Sequence, residues 1–509
     1  MNHLLSNSTN AFTNISPMPT LLLTAMLLSL AACGGDSSGK KDKPAVQPDT
    51  QPDAQPDTRA PFDGIWVSDA YGEAFSIQGN QLQRYEFTTD HCIQAEVGSV
   101  DQQQLTSDGY AIDRGTHTYL RQTIDKHGVQ MYSHKYERRN QLPAACLNGV
   151  ISADQLGTIE NPEQEFAYIV QTFDELYPMF DVRQVNWAEH AQQIEQHIVN
   201  GMPGEQYIQQ LLALIEPLAD AHVALVADGQ GMGFNRPGLF QDLQQEYIDI
   251  HGAPQSQEQV QALLQYIEQQ SDLLLQLRLK QASGDQPLDA EADILWYTTA
   301  DNYGVLMIDA MESEQDDHLA DIHAVAALMP QVIDALKDTQ GLVIDVRFNG
   351  GGSDGVSQVI ARHFLDSERN LYQKRVGTGT TAIHDTIRLT PAAHTYLKPV
   401  VVLTSSDTTS AAEIFVLMLR NLPHVTVAGQ PTQGALSDVL GRVLPSGLQI
   451  TLGNEQYLDM DDRWFEGTGI AVDHPITLWP SQDREQGKDH ALLQALAILK
   501  GDAELATDR

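Results

Sequence analysis

Basic residues are scarce in this sequence. Its 509 residues hold 30 Lys and Arg against 68 Asp and Glu, a formal net charge of −38 at neutral pH. A surface of that sign repels phosphate backbones and anionic headgroups, so no nucleic-acid partner is expected. Cysteine is scarcer still. There are three, and none stands with a nearby Cys/His set at ligand spacing, so no metal centre is expected. Nucleotide signatures are missing too. The run Asn349-Gly350-Gly351-Gly352 lacks the Lys-Ser/Thr of a P-loop and the G-x-G-x-x-G spacing of a dinucleotide fold. No lysine occurs between Lys398 and Lys488, which removes a lysine base from that whole stretch.

The N-terminal apolar run, Thr20 to Ala32, is about thirteen residues long. It is too short to span a bilayer comfortably but suits the core of a signal peptide. It ends in Leu30-Ala31-Ala32-Cys33, followed by Gly34-Gly35, which resembles the bacterial lipobox, in which the cysteine is lipidated. No Lys or Arg precedes the run, a departure from the usual basic leader. The expectation is an exported lipoprotein held by Cys33 in a bacterial envelope, at the outer membrane. Cys92 and Cys146 remain, and in an oxidising compartment they are expected to pair; the alternative is two separate buried thiols.

Residues 34–60 carry the near-repeat QPDT-QPDA-QPDT. They have no apolar face and read as an extended tether. Residues 61–150 alternate short apolar and aromatic runs with turn signals, a small β domain without a chemical constellation. Asn161 as N-cap and Pro162 at the first helical position open a helical subdomain over 160–225. Its apolar stripes are Phe166, Ile169, Val170, Phe173, Leu176 and, from Pro203 onward, Tyr207, Leu211, Ile215. Residues 226–292 read as a largely helical insertion, with Ser256 and Gln259 at capping-box spacing. Over 293–480 the pattern is α/β. Strands at YGVLMIDAM, GLVIDVRF, KPVVVLTSS and HVTVAGQ alternate with helices, and a hairpin turns at Pro445-Ser446-Gly447. Such alternation builds a mostly parallel sheet with functional loops at the carboxyl ends of its strands. Residues 481–509 form a C-terminal helix and tail.

Three stretches carry chemistry. Asp345-Val346-Arg347-Phe348-Asn349-Gly350-Gly351-Gly352 follows a buried strand, and successive glycines allow close backbone approach with N–H groups turned into a concavity. Thr404-Ser405-Ser406-Asp407-Thr408-Thr409-Ser410 runs into the apolar segment that starts at Ala411. A hydroxyl there can be a helix cap, or a nucleophile at the helix's positive end. The third comprises Leu218-Ala219-Asp220-Ala221-His222 and Phe465-Glu466-Gly467-Thr468-Gly469-Ile470.

Strand–R-x-N-x-G-G followed about sixty residues later by strand–T-S-x-x-T-x-S-A-A-E resembles the tail-specific, or C-terminal processing, protease superfamily, over roughly residues 160 to 480. The resemblance implies a ClpP/crotonase-like α/β core and a serine peptidase. By the family motif Ser410 is the nucleophile. The N–H groups of Gly351 and Ala411 form the oxyanion hole, with Gly352 the fallback for Gly351. One branch of the family places a lysine base in T-x-G-K-G; here that position holds Ala435. The tricorn-like branch takes a His from L-x-D-x-H and a Glu from E-x-x-G-I/V-x-x-D, which assigns His222 as base and Glu466 as its orienting carboxylate. His474 is a weaker candidate than His222. Arg347 and Asn349 are expected to brace the glycine loop, and Asp345 to be a satisfied buried acid. No PDZ-like segment is recognised between His222 and the α/β core.

The leading expectation is an exported serine endopeptidase that hydrolyses protein or peptide substrates through an acyl-enzyme, without cofactor or metal. The alternative is a catalytically inactive binding or carrier protein on the same fold, since fold alone does not fix activity. A crotonase-like acyl-CoA enzyme fits the core but not the serine triad.

Overall fold

The computed structural model describes residues 61–501 apart from 108–109, 115–117, 125–127, 130, 158–160, 228, 283–292, 314–317 and 378–382. Cys33, the lipobox and the 34–60 tether lie outside the described residues.

The apolar runs of the sequence make the central sheet. Gly304–Ile308, Leu342–Asp345, Val400–Thr404 and Val425–Gly429 lie side by side and parallel. Antiparallel Ile294–Thr298 extends one edge and short parallel His474–Pro475 the other. Both faces are covered, which is why these strands read as unbroken apolar runs. Successive side chains leave on opposite faces. Leu306, Ile308, Leu342, Ile344, Val400 and Val402 pack with the helices His318–Leu336, Asp354–Ala361 and Ala411–Leu419. Val305, Met307, Val343, Val401 and Leu403 pack with the C-terminal helix His490–Lys500. Leu319–Leu336 is long and apolar enough to cross a membrane, but Ile322, Val325, Met329, Val332 and Ile333 are buried in the core against the sheet. Leu342–Asp345 and Val400–Thr404 are neighbours and parallel, so the loops that follow them emerge together. The glycine loop and the hydroxyl-rich turn therefore meet.

The helical region begins as its sequence predicts. Asn161 Oδ1 accepts the Gln164 N–H at 3.2 Å, and Pro162 opens Pro162–Leu176. Between it and Gly204–Ile215 stands a further helix, Trp187–Glu195, that the apolar pattern does not announce, because only Trp187 and Ala191 are buried on it. The stretch expected to be a largely helical insertion starts differently. Ala224–Ala227 and Gln230–Gly233 form a hairpin before the helices Leu239–His251 and Gln257–Ala282. That hairpin pairs through Ala224, Leu225 and Val226 with Gln449–Gly453, itself half of the hairpin predicted around Pro445-Ser446-Gly447. The resulting four-stranded sheet stitches the segment after His222 onto the α/β core.

Between Gly64 and Arg139 seven strands form one antiparallel sheet. Cys92 and Cys146 are joined in a disulfide at its side. This sheet docks on the core through polar contacts: Tyr71 donates to Glu455, Arg442 to the Tyr71 carbonyl, and the Val443 N–H to Glu86 at 2.8 Å. Glu455 belongs to a fourth, three-stranded sheet of Ile383–Leu389, Arg369–Val376 and Glu455–Leu458, which the sequence pattern does not suggest.

Candidate active site

Ser410 closes the turn after Val400–Thr404 and opens the helix Ala411–Leu419. Other hydroxyls of the turn are tied to main-chain carbonyls: Thr404 to Gln430 (2.7 Å), Ser405 to Arg347, Thr408 to Val346 (2.8 Å) and Thr409 to Asp407 (3.0 Å). The Ser410 side chain makes no cap hydrogen bond. The helix start is held from the other direction, by Glu413, whose carboxylate accepts the Ser410 N–H at 3.2 Å. Ser410 sits at φ 56°, ψ −126°, a conformation that costs a residue with a Cβ on the order of 1–3 kcal/mol. A half-buried serine thus keeps a strained backbone and an unused hydroxyl at the positive end of a buried helix.

The glycine loop packs directly on it. A Cβ on Gly351, which has φ +112°, would lie 2.7 Å from Ser410 Cβ and 3.1 Å from the Thr409 carbonyl. Asn349 organises this contact: its Nδ2 donates to Ile308 O (3.1 Å), its carbonyl accepts Thr409 N–H (3.0 Å), and its Oδ1 accepts Gly351 N–H (2.9 Å). Gly351, expected as an oxyanion donor, therefore has its N–H committed. Gly352 (φ +131°) and Ala411 make no N–H hydrogen bond among the described residues. Arg347, fully buried, forks onto Asp345 and Asp489. Burial works against the charge of Asp345, yet the guanidiniums of Arg347 and Arg278 hold it well below the usual carboxylate range. We expect Gly351→Ala to displace Ser410, with a loss of about a hundredfold in kcat/KM and on the order of 2 kcal/mol of stability. Steady-state kinetics with thermal melts check this; a variant within twofold of the parent in both contradicts the packing argument.

His222 is 3% exposed. Its turn is pinned by Asp220, which accepts the His222 N–H at 2.9 Å and the Tyr177 hydroxyl at 2.7 Å. The ring Nδ1 is buried and has no partner among the described residues. Burial pushes the imidazole below its ordinary value, partly offset by Asp220 and Asp438. Glu466, 1% exposed, accepts from Arg183 at 2.9 Å and from the Leu436 N–H at 3.0 Å. Burial and the nearby Asp220 push its carboxyl up to about 8, against the pull of Arg183. No hydrogen bond joins the His222 side chain to Ser410 or to Glu466 among the described residues. His474 lies on the edge strand His474–Pro475, paired with Ala428.

The three segments nevertheless converge on one loop. The Ala435 carbonyl accepts the Ser410 N–H (3.0 Å), Leu436 N–H binds Glu466, and the Gly434 carbonyl accepts Arg183 (2.9 Å). Arg183 also donates to the carbonyls of Leu218 (3.1 Å) and Ala219 (2.8 Å), the turn leading to His222. Glu413 fastens the same loop to the serine helix, accepting from Thr432 Oγ1, Gly434 N–H and Ala435 N–H at 2.6 to 2.8 Å. Burial pushes Glu413 up to about 7. Sequence reasoning assigns no role to Arg183 or Glu413. Glu413 stands three residues after Ser410, the capping-box spacing, and could have been found that way; Arg183 lies in no motif.

Residues 302–476 match the model of Peptidase family S41. The carboxy-terminal processing proteases CtpA and CtpB of Bacillus subtilis (strain 168) are 26% identical over 144 residues and 28% identical over 134. These matches take in 28% and 26% of this chain, and the chain spans only 30% and 27% of those relatives' lengths. A solved structure from Parabacteroides merdae ATCC 43184 superposes with a TM-score of 0.54 at 21% identity, covering 68% of this chain and 99% of that one; it bears on the fold. Over residues 302–476 the α/β core of this chain is therefore similar to peptidase family S41, and over shorter stretches to the carboxy-terminal processing proteases.

Proposed function

We propose that this chain is an exported, lipid-anchored serine endopeptidase in which Ser410 attacks a peptide carbonyl and forms an acyl-enzyme that water hydrolyses. The observation that carries the reading is Ser410 itself: a strained, uncapped hydroxyl at a helix start, with two unengaged N–H groups, Gly352 and Ala411, on the loops beside it. Those two groups bind the developing oxyanion, Gly352 in place of Gly351. His222 takes the hydroxyl proton and returns it to the leaving amine, and Glu466 orients the ring and balances its charge. The relay hydrogen bonds close when substrate binds, as catalytic contacts tighten in the Michaelis complex. The substrate is an unfolded protein or peptide. The Leu30-Ala31-Ala32-Cys33 motif supports lipid attachment at Cys33, and Gly34, where an aspartate would signal retention at the inner membrane, supports delivery to the outer membrane.

Labelling by a fluorophosphonate probe tests the relay. The parent enzyme reacts, and His222→Ala lowers the labelling rate by about a thousandfold or more; a parent protein that never labels points to the carrier alternative. The pH profile tests Glu466. The relay needs Glu466 charged and His222 neutral. Glu466 holds its proton up to about 8, so kcat/KM rises as pH climbs through that region. Glu466→Gln removes this rise and leaves a weaker enzyme whose acid limb falls below the ordinary imidazole value, where burial places His222. A parent profile already flat by pH 7 takes Glu466 out of the relay.

A further inference from the structure

In a chain with 38 more acidic than basic charges, a guanidinium beside the serine turn without a carboxylate partner is out of place. Arg236 is that residue. It lies between the hairpin strand Gln230–Gly233 and the helix Leu239–His251, and it is half-buried. Its main chain is clamped by Gln433: the Arg236 N–H donates to Gln433 Oε1 (3.1 Å), and Gln433 Nε2 donates back to the Arg236 carbonyl (3.3 Å). Gln433 also reaches the Ser406 carbonyl (2.8 Å), and its own N–H reaches Thr408 O (2.9 Å). Three residues further on, the Leu239 N–H donates to Asp407 at 2.9 Å. The Arg236 segment is therefore fixed at several points to the turn that ends in Ser410.

The side chain is fixed as firmly. Nη1 donates to the carbonyls of Thr432 (3.3 Å) and Gln433 (2.9 Å). Nη2 and Nε make no hydrogen bond among the described residues, and no carboxylate there lies within ion-pair distance. Glu413 acts on it only at longer range, and Arg183 adds like charge. Burial, only partly offset by Glu413, pushes the guanidinium below its ordinary value. A planar fork held on one edge, with the other edge open, presents the geometry that receives a carboxylate in two parallel hydrogen bonds. Peptides carry that anion in two places, on acidic side chains and at the C-terminus.

We propose that Arg236 is a subsite cation that binds a carboxylate of the peptide, from an acidic side chain or from the peptide's own C-terminus, and so selects which bond reaches Ser410. This rests on the peptidase reading. The test starts from a mass-spectrometric map of cleavage in denatured casein by the full chain. One cleaved site is then made as a set of peptides that differ in two ways. At each position flanking the site, Asp is compared with Asn, and the C-terminus is either free or amidated. The expected result is a kcat/KM ratio of roughly tenfold or more for one carboxylate over its amide. That ratio falls to near one in Arg236→Gln and is partly kept in Arg236→Lys. The favoured peptide tells side chain from terminus. A parent enzyme indifferent to every carboxylate, or an Arg236→Gln variant that slows acid and amide peptides equally, overturns the proposal. Binding of the same fluorescein-labelled peptides to Ser410→Ala, read by anisotropy with and without Arg236→Gln, tests the subsite without turnover. Carboxylate-dependent binding lost with Arg236 supports the subsite even if the peptidase reading fails, and its absence there overturns the subsite.

Discussion

Ser410→Ala is expected to lower kcat/KM on denatured casein by on the order of 10⁴ or more while leaving the thermal melt unchanged. The first half follows from the chemistry: without Oγ there is no atom to acylate, and what survives is binding and oxyanion stabilisation around water. The second half follows from the geometry. A helix-capping serine replaced by alanine costs about 1 kcal/mol, but this side chain makes no cap hydrogen bond, and Glu413 holds the helix start. Ser410→Gly adds a contrast. At φ 56° alanine keeps the strain and glycine releases it, so the glycine variant should be more stable than the alanine variant by roughly 1 kcal/mol. Both variants should be inactive. Unchanged activity in Ser410→Ala ends the peptidase proposal, and a drop in melting temperature of a cap's size returns Ser410 to a structural role.

Arg183→Ala should cost about 3–5 kcal/mol of stability. Its side chain is 4% exposed and serves two carboxylates, Glu466 at 2.9 Å and Asp220 at 3.2 Å, together with the carbonyls of Leu218, Ala219 and Gly434. Truncation leaves both acids buried near each other without a cation and strands three acceptors. Lysine cannot serve this array, because an ammonium lacks the planar fork that reaches several acceptors at once. The loss should depend on pH. Glu466 keeps its proton up to about 8, and without Arg183 its folded-state value moves further up. The charged form is then penalised, so the damage is greatest in alkaline solution and shrinks as pH falls and Glu466 protonates. Denaturant titrations at pH 5 and pH 8.5 measure this. Because Arg183 ties the His222 turn to the Gly434–Leu436 loop, Arg183→Lys should also lose activity by about a hundredfold. A uniform loss below about 1 kcal/mol at both pH values would show that Arg183 is an ordinary surface-type ion pair.

The sheet was legible because its signals are local. LVID and VVVLT are strings of residues that demand burial on both faces, and Asn161-Pro162 spells a helix start in two residues. The catalytic candidates were legible as types in order, a serine after a strand, a histidine upstream and a glutamate downstream. The hairpin Ala224–Ala227/Gln230–Gly233 was not, since four-residue strands carry almost no periodicity and their partner, Gln449–Gly453, lies more than two hundred residues away in the chain. The helix Trp187–Glu195 escaped for a related reason: two buried residues do not make a stripe.

By itself the sequence determined which chemistry was available: a hydroxyl, an imidazole, a carboxylate and a glycine loop in a fixed order, with no lysine between Lys398 and Lys488. Only the tertiary structure decided that Asn349 occupies the Gly351 N–H and leaves that of Gly352 open, and that Arg183 stands between Asp220 and Glu466. It also decided that Arg236 has no ion-paired carboxylate among the described residues. The reason is physical. A hydrogen bond or an ion pair depends on a few tenths of an ångström between segments that the chain separates by up to a few hundred residues. That distance is set by the packing of the whole core, not by any neighbour in the sequence.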